Sequence, residues 1–258
     1  MRSSDIRREE IVSLATMAGT ANVEDLSSQF GVTPSTIRRD LAALDAQGRL
    51  ARTYGGALGL IPHPESSLRQ RMGVAYEEKQ AIARWAAAQV KPGESLLLDA
   101  GSTVAAVARE LRSAKDLRVA SVGLTVLEEL SDAEGIQLDC LGGRVRRLSQ
   151  SLLGPLTEAA LERMTFDRAF LSADAVMAGR GICEADLEQT RLKELMAQRA
   201  EKVYVLAHAT KLGKSPFHAW AHLPLPWILV TDDSATEEDI EPFTAEGIEV
   251  IVVDRAEP

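Results

Sequence analysis

The chain has 258 residues, 45% of them hydrophobic, with 29 Lys+Arg against 38 Asp+Glu and a formal charge of −9. That length suffices for two hydrophobic cores, and an acidic balance excludes bulk electrostatic attraction as a way of holding nucleic acid. No apolar run approaches the ~20 residues of a membrane span, the N-terminus lacks the apolar core of a signal peptide, and Cys140 and Cys183 stand alone, so the expectation is a cytoplasmic protein with free thiols, no metal and no cofactor.

From the N-terminus, Ile6, Ile11, Leu14 and Met17 trace one amphipathic helix, and Val23, Leu26 and Phe30 a second, shorter one closed by Gly31. A third helix starts at Thr33 or Ser35, either of which can cap it, with Pro34 in the first turn. Ile37, Leu41 and Leu44 form its buried stripe, which turns Ser35, Thr36, Arg38 and Arg39 elsewhere, and Gly48 ends it. Short hydroxyls and guanidinium forks at a helix start suit phosphates and major-groove base edges. Arg49 to Tyr54 then alternates and ends at Gly55-Gly56, a small hairpin carrying Arg49 and Arg52. Helix, glycine turn, polar-ended helix and basic hairpin together spell a winged helix-turn-helix over residues 1–58, with Thr33, Ser35, Thr36, Arg38, Arg39, Arg49, Arg52 and Tyr54 facing double-stranded DNA. This segment holds seven arginines and seven acidic residues, so the rest of the chain carries the whole −9. Attraction to DNA must therefore come from a few focused arginines.

Residues 59–75, with Pro62, Pro64, Ser66 and Ser67 and little apolar periodicity, read as a linker. Over residues 76–258 short apolar runs alternate with helical patterns. The runs are SLLLD, LRVASV, IQLDCL, RAFLSA, KVYVLA, WILVT and IEVIVV, and helices are expected at 77–90, 104–111 and 187–201. Such alternation predicts an α/β domain with a mainly parallel sheet covered on both faces, whose ligand sits at the carboxyl ends of strands. The first strand end leads through Asp99 and Ala100 to Gly101, Ser102 and Thr103 and then a helix. A glycine, hydroxyls and free N–H groups there suit a phosphate, although the same turn chemistry also serves plain capping. Gly142-Gly143 after IQLDCL is a second such turn, with Arg144, Arg146 and Arg147 either adding charge or lying solvated. His218 and His222 stand four apart but lack a third ligand and are crowded by prolines, which favours packing over metal binding.

The stretch TIRRDLAALDAQGRLARTYGGA resembles the N-terminal signature of the DeoR family of bacterial transcriptional regulators. The resemblance continues through EKQAIARWAA, LLLDAGSTV, LGGRVRR, LLGP, FDRAFLSAD, DLEQTRLKELM and LAHATKLG. It implies a repressor of a carbohydrate-metabolism operon whose second domain, of a ribose-phosphate-isomerase-like fold, senses a phosphorylated sugar or related metabolite. It also implies effector contacts from Asp99, Gly101, Ser102, Thr103, Gly142, Gly143, Arg144, Asp174, Glu188, Lys193 and Lys211. Three positions depart from the family pattern: His208 where relatives usually have Asp, Ser121-Val122 where they have Thr-Asn, and Tyr54 where they often have His. A short recognition helix reads few bases, so a homodimer or homotetramer on repeated half-sites is expected. The alternative is a sugar-phosphate isomerase fused to a DNA-binding domain, with Asp174, Glu188 and Lys193 as its acid and base groups. The leading helix-turn-helix weighs against it.

Overall fold

The computed structural model describes residues 3–18, 20–46, 50–53, 56–59 and 65–255. The chain divides into two compact units, residues 1–65 with 214–218 and residues 66–213 with 219–258.

In the smaller unit α1 (Ser3–Ala18), β1 (Thr20–Asn22), α2 (Val23–Phe30), α3 (Pro34–Ala46), β2 (Leu50–Thr53) and β3 (Gly56–Gly59) follow in order. Asn22 caps α2 by accepting from the Glu24 N–H at 2.8 Å. Gly31 ends it in the left-handed region, φ 61°, where a side chain would be strained. Ile11, Ala15, Val23, Leu26, Ile37, Leu41 and Leu44 form one core among the three helices. β2 and β3 pair antiparallel as the expected hairpin, with Thr53 opposite Gly56, and β1 adds a third strand beside β3.

The larger unit opens with α4 (Leu68–Met72), α5 (Tyr76–Ala88), β4 (Ser95–Leu98), α6 (Ser102–Glu110), β5 (Leu117–Ser121), α7 (Leu124–Leu130) and β6 (Ile136–Cys140). Then come β7 (Arg144–Arg146), β8 (Ser151–Leu153), α8 (Pro155–Leu161), β9 (Phe166–Ser172), β10 (Ala175–Met177), β11 (Gly181–Glu184) and α9 (Leu187–Gln198). β12 (Ala200–Leu206), β13 (Ala219–Ala221), β14 (Ile228–Asp232), α10 (Glu237–Ala245) and β15 (Glu249–Val253) complete it. The seven apolar runs of the sequence are the seven strands of one parallel sheet, ordered β15-β14-β12-β9-β4-β5-β6. Alternate residues feed two cores: Leu97, Ala169, Leu171, Val203 and Val205 on one face, and Leu96, Leu98, Phe170, Tyr204 and Leu206 on the other. Burial of the central strands on both faces is why they read as near-continuous apolar runs, while the edge strands β6 and β15 stay partly exposed. From β4 the chain winds outward to β6, then returns beside β4 as β9 and winds the other way. The carboxyl ends of β4 and β9 therefore flank a topological switch point, the usual place for a ligand in such sheets.

Three sequence expectations shift. Within the stretch read as a linker, residues 66–75 belong to the larger unit and contain α4, which a Ser67–Gln70 capping box starts and buried Leu68 anchors. One helical turn is too short to show an apolar period. α6 begins at Ser102 instead of 104, so Ser102 and Thr103 lie in its first turn. α9 ends at Gln198, and Glu201 already belongs to β12.

Candidate functional site

At the start of α3, Thr33 is the residue in the capping position, its Oγ1 accepting from the Thr36 N–H at 3.3 Å. The Thr33 hydroxyl also lies 2.9 Å from that of Ser35 and 3.0 Å from that of Thr36. Arg38 and Arg39 are exposed while Ile37, Leu41 and Leu44 are buried, as the helical spacing requires. Asp40 is also buried and lies on that inner stripe, accepting from Arg7 Nε and Arg8 Nε, each at 2.8 Å. Two arginines of α1 are thereby committed to holding α3, which leaves Arg38 and Arg39 as its outward cations. Of the remaining expected DNA-facing residues, Arg52 falls in β2, and Arg49 and Tyr54 lie outside the described residues.

The larger unit gathers its polar residues at the switch point. Asp99, just past β4, is buried and accepts through Oδ2 from the Ser172 N–H at 2.9 Å and the Ser172 hydroxyl at 3.0 Å, across to the end of β9. Lys193 reaches in from α9, fully buried, and its ammonium donates to Asp99, to the Ser172 carbonyl at 2.8 Å and to Glu184 Oε1 at 3.1 Å. Burial disfavours the ammonium, yet Asp99 and Glu184 outweigh it and push the Lys193 pKa up to about 12. Burial pushes the Glu184 carboxyl up to about 8 against the pull of Lys193. Gly101 closes this wall with φ 133°; a Cβ there would fall 2.7 Å from Ser172 Oγ and 2.9 Å from Ser172 Cβ. The next turn opens α6, whose first N–H groups have no acceptor within the helix.

Two residues beyond Ser172 a second group assembles. Asp174 Oδ1 accepts from Arg71 Nη1 of α4 at 2.7 Å. Lys211 donates to the neighbouring Ala173 carbonyl. Lys79 of α5 is buried and donates to the Arg71 and Val74 carbonyls, both at 2.5 Å. Burial, with like charge nearby, lowers both Lys79 and Lys211 to about 8. His208 is buried after β12; desolvation, then Lys211 and Lys79, hold its pKa down at about 3, so the imidazole is neutral.

Of the expected effector residues, Asp99, Gly101, Ser102, Thr103, Asp174, Lys193 and Lys211 thus lie in or beside these two groups. Arg144 and Glu188 do not join them: they pair with each other at the surface, their side chains 65% and 53% exposed. Gly142-Gly143 leads into the β7–β8 hairpin and not into a helix. Gly143, φ 115°, is kept small by packing, because a Cβ would meet the Leu153 carbonyl at 2.6 Å and Thr157. The departing Ser121 does structural work, donating to the Leu98 carbonyl at 2.8 Å and accepting from the Gly123 N–H at 3.0 Å. His218 and His222 flank the extended β13, so no helix face presents them together.

Sequence reading missed Arg71, Lys79, Glu184 and Ser172. A buried lysine in the alanine-rich α5 was the one signal available, because Lys79 sits on the helix face that also carries Ile82, Ala83 and Ala86.

A family model described as the DeoR-like helix-turn-helix domain matches residues 7–60, and one described as the DeoR C terminal sensor domain matches residues 74–233. The HTH-type transcriptional regulator GlpR of Haloferax volcanii is 30% identical over 95% of this chain and 96% of its own. The lactose phosphotransferase system repressor of Streptococcus mutans is 32% identical over 88% and 91%. The HTH-type transcriptional repressor GlcR of Bacillus subtilis is 32% identical over 91% and 90%. A ribose 5-phosphate isomerase structure from Methanocaldococcus jannaschii overlaps 52% of each chain at 20% identity with a TM-score of 0.38, too slight a likeness to argue from. Among the described residues no helix is long and apolar enough to cross a membrane. With a winged helix-turn-helix ahead of a parallel α/β domain, and both family models matched in that order, the chain belongs to the DeoR family of DNA-binding transcriptional regulators.

Proposed function

We propose that the protein represses a carbohydrate-metabolism operon in the cytoplasm, docking on operator DNA through residues 1–58 and letting go when residues 76–258 bind a phosphorylated sugar. The reading rests on one observation above the rest: a buried, fully engaged Asp99–Ser172–Lys193 cluster at the switch point, next to a glycine turn and the open N-terminus of α6. A buried ionic cluster adds little net stability and so marks a candidate functional site, and α6 offers its free N–H groups and the Ser102 and Thr103 hydroxyls to a phosphate. Relatives named as repressors of lactose phosphotransferase and of GlcR type supply the sugar context.

Release follows if the effector prefers the DNA-incompetent state, and linkage then requires DNA to weaken the effector by the same factor. A homo-oligomer presenting several α3 helices gives the short recognition element enough contacts. A thermal-shift screen of phosphorylated sugars, polyols and sugar acids should return a stabilising ligand, and that ligand should release DNA. Replacing Ser102 and Thr103 by Leu should abolish the response while DNA binding persists. A protein that no phosphorylated compound stabilises would refute the sensor assignment.

A further inference from the structure

Buried Lys79 and half-buried Lys211 stand out because neither meets a carboxylate within ion-pair distance; among the described residues their ammonium groups are held only by main-chain carbonyls, those of Arg71, Val74 and Ala173. Every acid nearby is otherwise engaged. Asp174 takes Arg71 and Asp99 takes Lys193. Glu184 faces Lys193 and Gln189. Asp232 accepts from the Ala209 N–H at 2.7 Å and from Ser234. His208 adds no negative charge: its Nδ1 shares a hydrogen bond with the Thr210 hydroxyl at 2.9 Å, and its other ring nitrogen has no partner among the described residues. Asp174 and Glu184 act on Lys211 only from beyond ion-pair distance; cations drawn out of water without a paired carboxylate are costly, and an anion placed between them would relieve that cost.

The Arg71–Asp174 pair is also left incomplete, with Arg71 Nε and Asp174 Oδ2 buried and without hydrogen-bond partners. The Asp174 side chain is only 8% exposed, so its free oxygen must find a donor within the site. Ser172 touches the Gly101 wall and Asp174 the lysine wall, and two residues of chain span at most about 7 Å. One small molecule can therefore reach both.

We propose that Lys79, Lys211 and His208 form a second anion subsite, so that the effector is a phosphorylated sugar bearing a second acidic group, either a carboxylate or a second phosphate. One phosphate lies at Gly101–Thr103, the second acidic group lies between the lysines, and a sugar hydroxyl between them donates to Asp174 Oδ2. This rests on the sensor reading given above. It also gives the His208 departure a purpose: a carboxylate at that position would supply the missing counter-charge and remove the need for a second anionic group.

Calorimetric titration of the full chain with hexose 6-phosphates, the matching 6-phosphoaldonates and hexose 1,6-bisphosphates tests it. A doubly acidic probe should bind at least about tenfold more tightly than the matching simple hexose 6-phosphate, the scale of one charge-assisted contact. Whether the aldonate or the bisphosphate is preferred identifies the second group. His208→Asp should erase the preference, and Lys211→Gln, which keeps a side-chain donor, provides a second variant should the first fail to fold. Equal affinity for simple and doubly acidic probes, or a preference that survives both substitutions, overturns the second subsite while leaving the sensor reading intact. Failure of every phosphorylated probe to bind overturns both.

Discussion

Asp40 and Lys193 play matching parts in the two units: each is a charge carried into an apolar setting and held there by opposite charges on another element. Asp40→Ala leaves Arg7 and Arg8 without their partner, and because both arginines keep some solvent the expected loss is about 2 kcal/mol, read by urea unfolding of the first unit. Lys193→Met strands Asp99 in a dry site and should cost about 3–5 kcal/mol; a melt within one degree of wild type would show that the cluster is less closed than its burial implies. Arg38→Ala or Arg39→Ala should weaken operator binding by about 1–3 kcal/mol if the guanidinium reads a base, and otherwise lower only the salt slope by about one. Lys193 was nominated through the family-like stretch DLEQTRLKELM, which does not reveal that it is buried. Asp40 was not, although its spacing from Ile37 and Leu44 puts it on the buried stripe; a charged residue there signals a hidden partner, and Arg7 and Arg8 are 32 or more positions away.

At the level of elements, the seven sheet strands were readable since burial of the central ones on both faces makes their runs mostly apolar, with polar residues confined mainly to strand ends and to the edge strands. The helix-turn-helix was readable since caps, glycine and stripe all agree. The short antiparallel pieces β7–β8 and β10–β11–β13 were not, because three or four residues carry too little pattern, and β13 in addition joins β11 from far along the chain. α4 was hidden for the same reason, and with it Arg71, which is how part of a site came to be read as a linker. Gly101 tests the wall between β4 and β9. Gly101→Ala forces a side chain into Ser172 at a φ that favours glycine, and should cost about 1–3 kcal/mol and weaken phosphate binding; unchanged stability in thermal melts would mean that the turn has room to relax.

For the whole molecule, charge placement separates the two tasks. The first 58 residues are neutral and the remainder carries −9, so operator binding cannot rest on bulk attraction between this chain and DNA. Inside the acidic unit the proposed effector site gathers Arg71, Lys79, Lys193 and Lys211 beside Asp99, Asp174 and Glu184, and its titration predicts how sensing depends on pH. Lys79 and Lys211 have pKa values of about 8 when the site is empty. A bound anion raises both, so binding takes up protons once the pH passes 8, while Glu184, also near 8, adds repulsion as it ionises. Effector affinity should therefore be flat from pH 6.5 to 7.5 and fall by up to about tenfold per pH unit per proton above pH 8; calorimetry showing constant affinity to pH 9.5 would remove the two lysines from the site. Fluorescence anisotropy measures directly whether the proposed effector site is coupled to operator DNA within one chain. DNA selected by the protein from a random pool is titrated with and without a saturating phosphorylated sugar found by thermal shift. The operator Kd should rise at least about tenfold, with the same factor in the effector Kd when DNA is present; an operator Kd that the bound effector leaves unchanged would rule the coupling out.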